Sequence, residues 1–185
     1  NLAADHSAGG QNGPFGAVVV LEGEVVGEGW NQVGSSSDPT AHAEVVAIRK
    51  ACGFLGTHDL SGAVLYSSCE PCPMCLSAIY WARLGTVIYA ASAADAREAG
   101  FDDGWILQEL RQDWPDRAVE RVQLMEEQGR QVLQGWLENP RKVPYRDPSW
   151  TFQDPERFSL TRWPPNSGWI PPSLPPHLSP VKNIF

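Results

Sequence analysis

Basic residues are scarce in this 185-residue chain: 14 Lys and Arg stand against 22 Asp and Glu, a formal net charge of −8. Affinity for a nucleic-acid backbone rests on cations that neutralise phosphates, so the balance argues against DNA or RNA and for a small diffusible substrate. Long apolar runs are also missing. The longest, Gly13 to Leu21, is the length of a strand and far short of a bilayer span. Cysteine is sparse at four residues, and two of the four form a Cys-x-x-Cys. With no secretory signal in view, that spacing reads as metal before disulfide, with a redox pair as its rival. These absences predict a soluble cytoplasmic enzyme without a membrane segment. Its length suits one domain with a real core. The chain opens at Asn1, and Leu2-Ala3-Ala4 reads as the end of a segment that has been cut away.

Hydrophobic periodicity divides the rest. Phe15–Leu21 and Glu24–Gly29 read as strands joined through Glu22-Gly23, a hairpin. Asn31 to Pro39 has loop composition. Val45, Ile48, Cys52 and Leu55 recur at three- and four-residue steps, predicting a helix capped by Thr40. Ala63–Ser67 reads as a strand. A helix from Pro73 to about Arg83 and a strand over Gly85–Ala90 then make a parallel crossover. Ala93–Ala99 and 105–111 are short helical stretches flanking a loop, Arg121–Met125 alternates like a last strand, and Gln128–Leu137 has helical spacing. Eleven of the 16 prolines fall in 140–185, which predicts a folded domain over 1–145 and a disordered or extended tail over 146–185.

The chemistry gathers in two stretches. Cys72 and Cys75 have the spacing of two thiolate ligands, and His42 can supply a third. Three protein ligands leave one tetrahedral zinc position for water, the signature of a catalytic site. Glu44 is then free to move protons. His42 and Glu44, two apart, do not share a helical face, but at a first turn their side chains can converge ahead of the axis. Cys72 and Cys75 also sit at a helix start, where the positive end of the helix favours thiolates. A closed structural zinc site would need Cys69 as a fourth ligand and leaves Glu44 unexplained. Cys52 falls on the apolar helix face and reads as core.

His-x-Glu followed by Pro-Cys-x-x-Cys is the known pattern of zinc deaminases that act on nucleobases. Further stretches narrow the likeness: Gly13-Pro14-Phe15-Gly16-Ala17, Ala78-Ile79-Tyr80-Trp81-Ala82-Arg83 and Ala99-Gly100-Phe101-Asp102-Asp103. Between Gly13 and Tyr145 the chain resembles the bacterial guanine deaminases of the cytidine-deaminase fold. The resemblance implies a three-layer α/β/α domain with a mixed five-stranded sheet, and hydrolysis of guanine to xanthine and ammonia. It implies zinc on His42, Cys72 and Cys75, with Glu44 as proton shuttle and Asp103 as a second acid handling the departing amine. Substrate contacts would come from Asn31, Phe15, Ala43 and Trp81. Tyr145 would reach into the site of a partner subunit in a domain-swapped homodimer.

Each role has a plainer counterpart: Asn31 as a turn residue, Phe15 and Trp81 as core aromatics, Asp103 as a helix cap. Relatives carry a full helix ahead of the glycine-rich run and end near Tyr145. The sheet is therefore expected to have one exposed face here, and the tail to be an addition. The alternatives are a deaminase of guanosine, an aminotriazine, cytosine or tRNA adenosine, and a zinc-binding scaffold without activity.

Overall fold

A computed structural model of the chain describes residues 2–143. Tyr145 and the proline-rich stretch that follows lie outside the described residues. The chain divides into two units, the first running to Ala118 and the second beginning at Val119.

In the first unit a short helix, α1 (Leu2–Ser7), precedes the hairpin of β1 (Gly16–Leu21) and β2 (Glu24–Trp30). Glu22 and Gly23 both have positive φ, 51° and 88°, the backbone that a two-residue hairpin turn demands. One helical turn, α2 (Val33–Ser36), interrupts the expected loop. The long helix α3 (Ala43–Leu55), β3 (Val64–Cys69), α4 (Pro73–Trp81), β4 (Thr86–Ala91), α5 (Ala93–Glu98) and α6 (Gly104–Arg111) follow. The strand order is β2-β1-β3-β4, antiparallel except for the parallel β3–β4 pair that the α4 crossover produces.

The sheet is therefore mixed, with four strands rather than five among the described residues. Arg121–Met125 is irregular. It belongs to the second unit, where the described structure is one helix, α7 (Glu126–Glu138). Val122, Leu124 and Met125 are exposed there. Alternation alone does not make a strand without an edge to pair with.

The core lies on one face of the sheet. Ala17, Val19 and Leu65 from the strands meet Ala43, Ala47, Ile48 and Ala51 of α3 and Ile79 of α4. α3 comes unusually close because β2 presents Gly27 and Gly29 beneath it. A Cβ built on Gly29 would lie 2.2 Å from the Ala43 carbonyl oxygen, and one on Gly27 2.4 Å from that of Ala47. The opposite face was expected to be exposed. Instead Val18, Val20 and Tyr66 are buried there, with Leu2, Val64 and Ile88 packed against them. Even six residues of α1 are enough to bring Leu2 onto β1.

The loop that ends α3 is tied to the end of α4. Asp59 accepts hydrogen bonds from the Ser61 amide (2.9 Å) and hydroxyl (2.6 Å) and pairs with Arg83, while the Leu60 amide donates to the Ala82 carbonyl (2.9 Å). The Ser61 bonds first, and then Arg83, hold the Asp59 carboxyl down at about 2, below its ordinary 3.8. A depressed carboxyl contributes stability that is present above the unfolded value and lost as pH falls through the folded one. The thermal midpoint should therefore drop between about pH 4 and pH 2 more steeply in the native chain than in Asp59→Asn. Thermal melts across that range check it, and equal slopes would dismiss the anchor.

Candidate active site

Both helices that carry the motif begin on a ligand. His42 is the N-cap of α3, with extended φ and ψ of −70° and 154°, and Cys72 is the N-cap of α4, ahead of Pro73. Thr40, the expected cap, instead donates its hydroxyl to Asp38 (2.6 Å). An N-cap residue has left helical geometry, so the spacing rule that separates positions two apart on a helix does not bind His42 and Glu44. Their side chains reach the same place.

The His42 Nδ1 atom lies 3.6 Å from the Sγ of Cys72 and 3.6 Å from that of Cys75, and the three donors form a compact group. A zinc with bonds of ~2.3 Å to sulfur and ~2.0–2.1 Å to nitrogen separates tetrahedral S and N ligands by roughly 3.6 Å. The side chains thus fit a zinc ion through His42 Nδ1. Cys69, the expected rival ligand, is not in that group. Its Sγ faces the Ser92 carbonyl at 3.6 Å. Three donors converge among the described residues, the count of an open site.

Charge in this cluster is strongly polarised. The Cys75 and His42 side chains, in that order, hydrogen-bond to the Cys72 sulfur and lower its thiol to about 4. Cys75 moves in the opposite direction, because its hydrogen bond to the Cys72 sulfur holds its proton and burial then disfavours a second charge there. A divalent cation removes that conflict by offsetting both thiolates.

Glu44 is 6% exposed, and burial raises its carboxyl above the ordinary range. Its Oε1 is 3.2 Å from the Ser67 hydroxyl and its Oε2 is 3.5 Å from the Cys75 sulfur.

These groups open onto a cavity of about 540 Å³ whose walls include Phe15, Asn31, Phe101 and Asp103. That volume lies within the ~300–1,000 Å³ range of small-molecule sites. Phe15 and Phe101 meet edge to face, with centroids 4.9 Å apart. Asp103 stands at the head of α6 but makes no capping bond. Asp102 does that work by accepting from the Gly104 amide (3.0 Å) while paired with Arg97 (3.4 Å). Asp103 is left on the cavity wall, its carboxyl raised first by burial and then by the Cys72 charge.

Asn31 is buried, and its Oδ1 accepts from the Gly13 amide (3.3 Å) and the Val33 amide (3.2 Å). Those two donors settle which end of the carboxamide is oxygen. Oδ1 is thus committed to the backbone, and Nδ2 is the polar atom that remains for a ring edge.

Two expected substrate contacts do not line the cavity. Trp81 ends α4 at 76% exposure, and Ala43 is fully buried in the core beneath α3. Glu70 and Phe101 line it without having been assigned a role from sequence, and Cys69 lines it as well. For Phe101 the cue was present in the Gly-Phe-Asp-Asp stretch.

Comparison with known proteins agrees with this geometry. Residues 1–91 match the cytidine and deoxycytidylate deaminase zinc-binding region. The chain is 49% identical over 144 residues to the guanine deaminase of Bacillus subtilis, covering 78% of this chain and 92% of that protein. It belongs to the guanine deaminase family.

The X-ray structure of that Bacillus subtilis enzyme superposes with a TM-score of 0.75 at 48% identity, over 78% of this chain and 92% of that one. A structure of guanine deaminase from Nitrosomonas europaea matches at 33% identity and a TM-score of 0.51, over 55% of this chain and 59% of that one. A tRNA-specific adenosine deaminase of Aquifex aeolicus is 45% identical over a shorter stretch, 47% of this chain and 56% of that protein. Guanine deaminases of this family are zinc-dependent hydrolases, and the His/Cys/Cys group supplies the metal site here.

Proposed function

We propose that this chain hydrolyses guanine to xanthine and ammonia. The observation that carries the reading is the convergence of three zinc donors beside a buried carboxylate, with His42, Cys72 and Glu44 on the wall of one cavity. His42, Cys72 and Cys75 would hold zinc, which would supply the acidity that makes a water nucleophilic near neutral pH. Glu44 takes a proton from that water and relays it to the amine. Oxygen bonds to the ring carbon C2, the bond from C2 to the exocyclic nitrogen breaks, and ammonia leaves with the relayed proton. Asp103, across the cavity, receives the departing amine. Phe15 and Phe101 pack against the purine.

Asn31 accounts for the choice of base. With Oδ1 held by two backbone amides, its Nδ2 donates to the ring. Guanine offers two acceptors, N7 and O6, on that edge, whereas adenine offers one acceptor and one donor. Glu44, Glu70, Asp102 and Asp103 line the cavity, and no Lys or Arg does among the described residues. That charge disfavours a polyanionic RNA. The reading also includes a cytoplasmic three-layer domain and a homodimer in which Tyr145 closes the partner's site. Leu76, Tyr80 and Trp81 of α4 are exposed and apolar, as a subunit contact would need.

Ammonia release should be measured against guanine, guanosine, an aminotriazine, cytosine, adenine and a tRNA anticodon stem, with solution mass recorded on the same sample. Guanine is expected to be fastest and the mass to be that of a dimer. Faster turnover of any other substrate would refute the choice of base, and a monomer would refute the dimer. Asn31→Asp sharpens the test, because it keeps the acceptor for Gly13 and Val33 and puts a carboxylate oxygen where the donor was. It should lower kcat/KM for guanine by about a hundredfold, the result of leaving buried polar atoms unpaired. An unchanged value would remove Asn31 from the contact.

A further inference from the structure

We infer that Ser67 is a positioning residue for Glu44, and that its hydroxyl fixes which carboxylate oxygen meets the reacting proton. The inference rests on the catalytic reading of Glu44 given above.

Ser67 sits in the middle of β3, paired with Ala17 on one side and Tyr89 on the other. Its side chain is on the same strand face as Leu65, the face that α3 and α4 cover. It is 1% exposed. An alanine would serve the packing there equally well. Burying a hydroxyl without a partner is unfavourable, so the oxygen needs its own account.

Two contacts supply it. The Cys69 amide approaches the Ser67 oxygen at 3.5 Å as a donor. Glu44 Oε1 lies 3.2 Å from the same oxygen. With an amide N–H on one lone pair, the hydroxyl proton is directed to Glu44. A hydroxyl has one proton to give, and here the acceptor is a carboxylate.

Glu44 then has two unequal oxygens. Oε1 is held by β3, a strand paired on both sides within the sheet. Oε2 lies on the zinc-ligand side, 3.5 Å from the Cys75 sulfur. Without the hydroxyl, the carboxylate can rotate about its last torsion, which is soft and roughly two-fold. Oε2 then leaves the position from which it takes the proton. Ser67 touches neither metal donors nor substrate, so it acts through Glu44 alone.

The test uses the full chain, with zinc analysis and steady-state guanine kinetics on the native protein, Ser67→Ala and Ser67→Thr. Ser67→Ala should keep one zinc per chain and a KM within about threefold, while kcat falls about 10- to 100-fold, the scale of a misplaced reacting group. Ser67→Thr retains the hydroxyl and should return kcat to within about threefold of native. A merely structural role would lower zinc content or raise KM instead, and either result overturns the inference. So does an unchanged kcat in Ser67→Ala, or a Thr variant no faster than the Ala one. If the native chain deaminates guanine and Ser67→Ala matches it, this inference alone falls. If the native chain releases no ammonia from guanine, the catalytic reading falls and takes the inference with it.

Discussion

Glu44→Gln should retain one zinc per chain and lose roughly 10²- to 10⁴-fold in kcat, the usual contribution of a positioned proton-transfer group. The two properties separate because the metal donors are His42, Cys72 and Cys75, and Glu44 is outside that group. Gln has the size of Glu and can still accept from the Ser67 hydroxyl through its carbonyl oxygen. What it cannot do is take a proton from water and pass it on. KM should move little, since the proposed grip on guanine comes from Asn31, Phe15 and Phe101 on the cavity wall and not from Glu44. The carboxylate is buried, and its protonation is favoured by that burial, as suits a group that must accept a proton and release it at working pH. Metal analysis and guanine turnover on the same preparation decide the matter. Native-like kcat in Glu44→Gln would end the proton-shuttle assignment, and loss of zinc would mean the carboxylate is structural.

Gly29→Ala is expected to disable the site from the far side of α3. A Cβ at position 29 would lie 2.2 Å from the Ala43 carbonyl oxygen and 2.5 Å from the Ala47 amide nitrogen. Both are backbone atoms that cannot swing aside, so the first turn of α3 must lift from the sheet. Ala43 is the residue between His42 and Glu44, and a displacement of roughly 1 Å there costs on the order of a hundredfold in rate. Overpacking of this kind also lowers stability by about 1–3 kcal/mol.

Gly27→Ala provides the comparison. Its Cβ would meet the Ala47 oxygen at 2.4 Å and the Ala51 amide nitrogen at 2.7 Å, one turn further along. It should destabilise by a similar amount and affect kcat and zinc content less. Thermal midpoints, zinc content and kcat for both variants test the pair. Equal catalytic losses would show that α3 shifts as a whole and that the contact at Ala43 has no special role.

Local chemistry was legible in the sequence. The apolar period located α3 and α4, the two-residue connection located the hairpin, and Pro73 marked the start of α4. These features depend on neighbours a few residues away, so one dimension suffices to see them. The identity of the metal donors was legible too, because His, Cys and Cys in those spacings have few other uses.

The expected last strand over Arg121–Met125 shows the limit. A strand needs an edge to pair with, and alternation does not say whether one is within reach. Trp81 shows a second limit: its role came from resemblance, and its 76% exposure at the end of α4 is set by what packs over that helix end.

What the sequence by itself determined was the reagent set: a His/Cys/Cys zinc group, an acid beside it, and the elements that bear them. Tertiary structure decided how those reagents are held. It made His42 and Cys72 the N-caps of two helices, which lets residues two apart converge. It committed Asn31 Oδ1 to Gly13 and Val33, leaving a donor. It let Asp102 cap α6 so that Asp103 faces the cavity, and it set Ser67 under Glu44 across 23 residues of chain. The physical reason is that a polar atom has a limited number of partners. Some are claimed by near neighbours, as Val33 claims Asn31 and Gly104 claims Asp102, and the rest by residues that only the folded chain brings within 3 to 4 Å, as Gly13 meets Asn31, Ser67 meets Glu44 and Cys72 meets His42.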